Sequence, residues 1–221
     1  MNEIVRTFFN VEVLIETRKF LLIGLTTTLQ LIGVSLFLAL GWGLALSVLR
    51  NVNLKWLNPL IAFYITVLRA LPILVLLLVI YYALPFVGIE LNSFMAATMA
   101  LGLCGGAYYA EIFRAGIEAV GKGQGEAARS LGLNYRQMMQ YVVLPQGVRV
   151  VLPPLTTNTL EFMKSTVAAS VVALPDILHQ AVQAQNNTFN ATPLMGALGI
   201  YIVMCFPIVQ IIRKLERKER K

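Results

Sequence analysis

Three ionisable side chains lie deep inside apolar stretches of the chain: Arg69, Glu161 and Lys164. Charges at membrane depth cost several kcal/mol and mark pathways or binding sites. Arg69 falls about 13 residues along its stretch, roughly 20 Å at 1.5 Å per residue. Glu161 and Lys164 fall at similar distances along theirs, so the three are expected to meet near the midplane. Glu161 and Lys164, three apart, share a helix face. Pro72 on one stretch, and Pro153 with Pro154 on the other, should free backbone carbonyls, which is tolerated at depth where a cavity is lined. Cations to hold a carboxylate, and an acid or open carbonyls to hold an ammonium group, suit a zwitterionic solute. The other reading is an internal salt bridge, of Arg69 or Lys164 with Glu161, that only fixes helix packing. Ser165 and Thr166 follow Lys164 directly, and Tyr82 and Tyr108 are candidates for the cavity wall or else membrane-interface or packing aromatics. Glu111 is expected to serve as a structural or gating partner of Arg114.

These residues sit in a chain of 221 residues that is 57% hydrophobic and 13% charged, with mean hydropathy +0.72. Soluble domains are roughly a quarter charged. Runs of about 20 apolar residues span a bilayer, and five such runs appear: Phe20 to Leu49, Trp56 to Val87, Leu91 to Phe113, Val148 to Leu174 and Leu194 to Ile212. The third is rich in small residues that let helices approach closely, which places it at the bundle centre. No polar stretch is long enough for a second domain, so residues 1–221 are read as one transmembrane domain. The N-terminus lacks the pattern of a cleavable signal.

The net charge is +7, with the basic residues clustered between the apolar runs. The connection near residue 50, the long polar segment 114–147 and the C-terminal tail carry Lys and Arg; the connections near Gly88 and at 175–193 carry none. Positive connections stay in the cytoplasm. The long segment and the tail are therefore expected inside and the N-terminus outside. That distribution also argues against a nucleic acid as partner. Cys104 and Cys205 read as small buried hydrophobes, and His179 stands alone in an external loop.

Within the polar segment, Gly125-Glu126-Ala127-Ala128-Arg129-Ser130-Leu131-Gly132 reads as a short helix ended by a left-handed glycine. Asn134 can cap a second, from Tyr135 to about Val143, with Pro145 beyond it. No phosphate-binding G-x-x-x-x-G-K-[ST] occurs; Gly121-Lys122-Gly123-Gln124-Gly125 has glycines in the wrong order. There is no His/Cys/Asp constellation with the spacing of a nucleophile or metal site.

Glu126-Ala127-Ala128, then Gly132, then Val142-Val143-Leu144-Pro145 resembles the EAA signature of importer permeases of the ATP-binding-cassette class. Residues 107–117, Leu68-Arg69-Ala70-Leu71-Pro72 and residues 160–166 resemble the polar amino-acid branch, and the variants at 69–72 and 164–166 its glutamate/aspartate importers. The resemblance implies an all-α membrane bundle of the type I importer permease fold. Its cytoplasmic coupling helices, formed here by Gly125, Glu126, Ala127, Ala128, Leu131, Gly132 and Pro145, would seat in an ATPase. It further implies two ATP-binding-cassette ATPases that hold ATP and Mg, a second identical or homologous permease, a periplasmic amino-acid-binding protein and a bacterial inner membrane. This chain would bind no cofactor itself and would not be an enzyme. Two intramembrane cations against one nearby acid favour an acidic amino acid. The rival, an ion-coupled secondary transporter, is disfavoured because five spans show no internal repeat.

Overall fold

The structure is a computed structural model that describes residues 2–51 and 54–219. Among the described residues every regular element is helical. A short α1 (Asn2–Phe8) precedes α2 (Val11–Asn51), whose 41 residues exceed the thickness of a bilayer core. Then come α3 (Leu57–Ala70), α4 (Ile73–Leu78, extended by π and 3-10 turns to Val87) and α5 (Ser93–Glu118). Short α6 (Lys122–Ser130) and α7 (Tyr135–Met138) lead into α8 (Leu144–Ser165), followed by α9 (Ile177–Thr188) and α10 (Thr192–Glu219).

Among the described residues two helices are long and apolar enough to cross a membrane alone, Arg6–Asn51 and Thr192–Leu215. Two further crossings are bent pairs: Leu57–Ala70 with Ile73–Val87 at 103°, and Tyr135–Val172 with Ile177–Thr188 at 49°. The remaining expected span is α5. At 26 residues it has the length, about 39 Å, but its glycines, tyrosines and Glu111 dilute its apolarity. The same small residues bring it to the centre. Ala96, Ala97, Ala100, Ala107, Tyr109 and Ala110 are all buried, in cores shared with Leu31, Ala39, Leu77 and Phe162 or with Leu46, Ile61 and Ile65. At Gly43 of α2 the contact with α5 is so close that a Cβ would lie 2.7 Å from the Tyr109 Cβ and 2.9 Å from the Ala110 nitrogen. Only glycine lets the two backbones meet there.

Several boundaries differ from the sequence-based expectation. The segment 175–193, expected as an external loop, contains α9. Asp176 caps it by accepting from the His179 N–H (2.8 Å), and the Ile177 N–H donates to Thr28 Oγ1 of α2 (3.1 Å). This helix had no strong apolar run to announce it, because its buried residues include Gln180 among alanines. Likewise, the second coupling helix does not stop before Pro145. It runs through a π turn (Met139–Val143) into α8, with the proline in the first turn, where its missing N–H leaves no gap. Pro153 and Pro154 also stay inside α8, whose Thr156 and Thr157 hydroxyls donate to the Leu152 and Pro153 carbonyls.

Candidate substrate cleft and coupling loop

Span two breaks where the sequence places a proline. Leu71 (φ −82°, ψ 135°) and Pro72 (φ −61°, ψ 130°) are both extended, as the steric clash of a proline ring with the preceding residue requires. The break leaves the last carbonyls of α3 without helical donors. Two side chains of α5, four residues apart on one face, turn toward them: the Cys104 thiol donates to the Leu68 carbonyl (3.5 Å) and the Tyr108 hydroxyl to that of Arg69 (3.1 Å). The Arg69 guanidinium then lies over the Tyr108 ring, 5.4 Å from its centroid, as a cation–π pair.

Beside the break lies a cleft of about 440 Å³ between α4, α5 and α8. Pro72, Cys104, Tyr108, Asn158, Glu161 and Ser165 are among its walls. The α8 contribution, 158, 161 and 165, follows helical spacing of three and four. Lys164 Nζ bonds Glu161 Oε1 at 2.7 Å, and both side chains are more than half exposed in the single chain. Ser165 donates to the Phe162 carbonyl while still bordering the cleft.

The three charges expected together divide between two ion pairs. Lys164 and Glu161 pair with each other, whereas Arg69 faces Glu111 at 4.0 Å. Glu111 is a hub. Arg114 binds it through Nε at 3.0 Å and through a second guanidinium nitrogen, and Arg50 from the last turn of α2 lies 3.6 Å away. Arg114 also reaches Glu118, which carries α5 five residues past its expected end. Thr166 sits elsewhere than the cleft: it is 1% exposed, with its hydroxyl donated to the Met163 carbonyl. Tyr82 lies on the π turn of span two, edge-on to Tyr81 at 4.9 Å, and is not a wall of the cleft. Tyr108 and Asn158 carry more of the geometry than the sequence reading assigned them. Their signal was periodic: 104, 108 and 111 form one stripe of α5, and 158, 161 and 165 one stripe of α8.

The polar segment folds as a helical pair. Gly132 has φ +79°, its N–H donates to the Arg129 carbonyl (2.9 Å), and the Leu133 N–H donates to that of Ala128 (3.1 Å). This is a Schellman cap. Asn134 and Gln137 then form a capping box at α7 (2.9 and 3.0 Å). Ala128, Met138 and Val143 are buried between the two helices, with Gly125 against the Met138 sulfur. Glu126, Ala127, Leu131 and Pro145 face outward, and Leu131 is 82% exposed.

The architecture corresponds to that of type I importer permeases of the ATP-binding-cassette class. The chain superposes with a TM-score of 0.86 on a solved structure described as an amino acid ABC transporter with histidines, at 33% identity over 93% of this chain and 96% of that one. The inward-facing MetNI methionine ABC transporter has the same fold, with a TM-score of 0.72 at 21% identity over 89% of this chain and 96% of that one. Residues 31–221 match the family described as "Binding-protein-dependent transport system inner membrane component", and the chain belongs to that family. Among curated relatives, the probable amino-acid ABC transporter permease YckA of Bacillus subtilis (strain 168) is 39% identical, over 95% of this chain and 93% of its own length. The arginine transport system permease ArtQ of the same organism is 35% identical, over 90% and 92%. Its probable glutamine ABC transporter permease GlnP is 34% identical, over 92% and 95%.

Proposed function

We propose that this chain is the permease subunit of an ATP-driven importer of polar amino acids, forming half of a pore with a second, identical or homologous permease. The observation that carries this reading is the cleft at the broken span, bordered by Asn158, Ser165, Tyr108 and Glu161, which pairs with Lys164. A cation and an acid 2.7 Å apart mirror the α-carboxylate and α-ammonium of an amino acid, and each can exchange its partner for the solute. The relatives named for amino acids, arginine and glutamine point to the same class of substrate.

Transport then proceeds by alternating access. Two ATPase subunits, holding ATP and Mg, engage the capped pair α6–α7 and the exposed Leu131 from the cytoplasm, and a periplasmic binding protein delivers the amino acid from outside. ATP binding draws the coupling helices together and opens the cleft outward; hydrolysis reverses this. Each state is stabilised by a different partner. The chain sits in a bacterial inner membrane with its N-terminus periplasmic and its C-terminus cytoplasmic, as the cytoplasmic bias of Lys and Arg supports.

The narrower reading, an acidic amino acid, needs one of the two cations to leave its acid when substrate enters, because Arg69 faces Glu111 and Lys164 holds Glu161. Competition of unlabelled glutamate, aspartate, glutamine and arginine against a labelled substrate separates it from the broader one. The test of the site itself is a double change. Lys164→Met abolishes uptake with the complex still assembled, and Glu161→Gln weakens it. If the pair merely fixes packing, Glu161→Leu with Lys164→Met rescues uptake, because neither charge is stranded. A stable double variant that does not transport supports the ligand role, and restored transport overturns it.

A further inference from the structure

Arg69 is held at both of its ends by one residue of α5. The Tyr108 hydroxyl donates to the Arg69 carbonyl (3.1 Å), and the Arg69 guanidinium lies over the Tyr108 ring, 5.4 Å from its centroid. Little else fixes this side chain. It is 42% exposed, so packing does not hold it, and its 4.0 Å approach to Glu111 is too long for a hydrogen bond. Both oxygens of Glu111 are already taken by Arg114. The cation–π contact is therefore the main restraint on where the charge points.

Tyr108 is a wall of the 440 Å³ cleft and Arg69 is not, although Leu71 and Pro72, two and three residues further on, both are. The charged residue on the described walls is Glu161, whose Oε1 accepts from Lys164. An amino acid with a neutral or basic side chain brings one carboxylate to this cleft, and an acidic one brings two. A second carboxylate placed near Glu161 meets a like charge, which is costly wherever water is partly excluded. It would need a further cation, and Arg69 is the cation in reach.

We propose that Tyr108 is a positioning residue that keeps the Arg69 guanidinium out of the cleft, so that the cleft discriminates against amino acids with a second carboxylate. The ring restrains the charge, and the hydroxyl fixes the backbone from which the side chain extends. The discrimination between solutes rests on the polar amino-acid reading above; the placement of Arg69 does not.

The test has two readouts on the purified permease–ATPase complex in nanodiscs. The first is the charge of the cleft. With Cys104→Ala and Cys205→Ala removing the two native thiols, Ser165→Cys puts one on the cleft wall. Its rates of modification by an anionic and a cationic methanethiosulfonate are compared. Tyr108→Ala is expected to raise the anionic-to-cationic rate ratio about tenfold, the effect of one contact to a charged group. Tyr108→Phe keeps the ring and is expected to leave the ratio unchanged. Tyr108→Ala with Arg69→Gln is expected to return it to the wild-type value, because the effect runs through Arg69. Tyr108→Leu, which fills more of the space without a π face, replaces Tyr108→Ala if the latter does not assemble.

The second readout is displacement of bound labelled glutamine by unlabelled glutamate, two solutes alike in size and one charge apart. Affinity for glutamate relative to glutamine is expected to rise about tenfold in Tyr108→Ala and to stay at the wild-type value in Tyr108→Phe. A rate ratio unmoved by Tyr108→Ala, or raised as much when Arg69→Gln is added, overturns the proposal. So does a raised rate ratio with an unchanged relative affinity. Complexes that bind neither solute, with thiol rates as expected, would refute the polar amino-acid reading and leave Arg69 placed as proposed. Gel filtration of each variant complex reports folding, and a merely structural role for Tyr108 would weaken both solutes alike.

Discussion

Glu111 has three arginines around it, from α2, α3 and α5, and is about one-quarter exposed. Such a hub ties the cytoplasmic end of α2 to the break in span two through a single carboxylate. Replacing it by Gln leaves Arg50, Arg69 and Arg114 close together, with Glu118 as the acid still bound to Arg114. The expected loss is about 1–2 kcal/mol, between the limits for exposed and buried pairs. Melting of the Glu111→Gln complex in nanodiscs checks it; an unchanged midpoint would mean that the arginines are held by packing. At this scale the sequence was legible for residue type but not for partner. Arg69, Glu161 and Lys164 stood out as costly charges, and the shared helix face of 161 and 164 allowed for their pair, but no spacing rule brings Arg69 of α3 to Glu111 of α5.

Elements were legible where a local rule forces them. The left-handed Gly132 and the Asn134 cap follow from short-range stereochemistry, and both appear as expected. A side chain at Gly132 would meet open space, so the penalty for Gly132→Val is conformational, about 1–2 kcal/mol for a left-handed non-glycine residue. Substrate-stimulated ATP hydrolysis is expected to fall in that variant and to survive in Gly132→Asn, since asparagine tolerates this region. Wild-type uptake by Gly132→Val would reduce the segment to a linker. By contrast, α9 and the π turn before Pro145 were not legible. Both depend on tertiary support: α9 on Thr28 and Gly24 of α2, whose Cβ would lie 2.7 Å from the Ile177 Cα, and the π turn on burial of Met138 and Val143.

On the scale of the whole molecule, composition carried the membrane class and the EAA-like residues the resemblance to importer permeases, with which the family match over residues 31–221 agrees. Orientation has its own check. With Gln137 and Gln183 both exposed, a cysteine at 183 is expected to react with an impermeant thiol reagent in intact cells, and one at 137 only after permeabilisation. The reverse pattern would put α6 and α7 on the wrong side for an ATPase.

The central claim is that this chain provides a membrane path driven by a partner's ATP. Its most direct measurement is uptake of a labelled amino acid into proteoliposomes that contain this permease, its ATPase and its binding protein. The account predicts uptake that requires internally facing coupling loops, ATP on that side and the binding protein on the other, and that is lost with Lys164→Met. Uptake sustained by a proton or sodium gradient alone, with no ATP present, would contradict it.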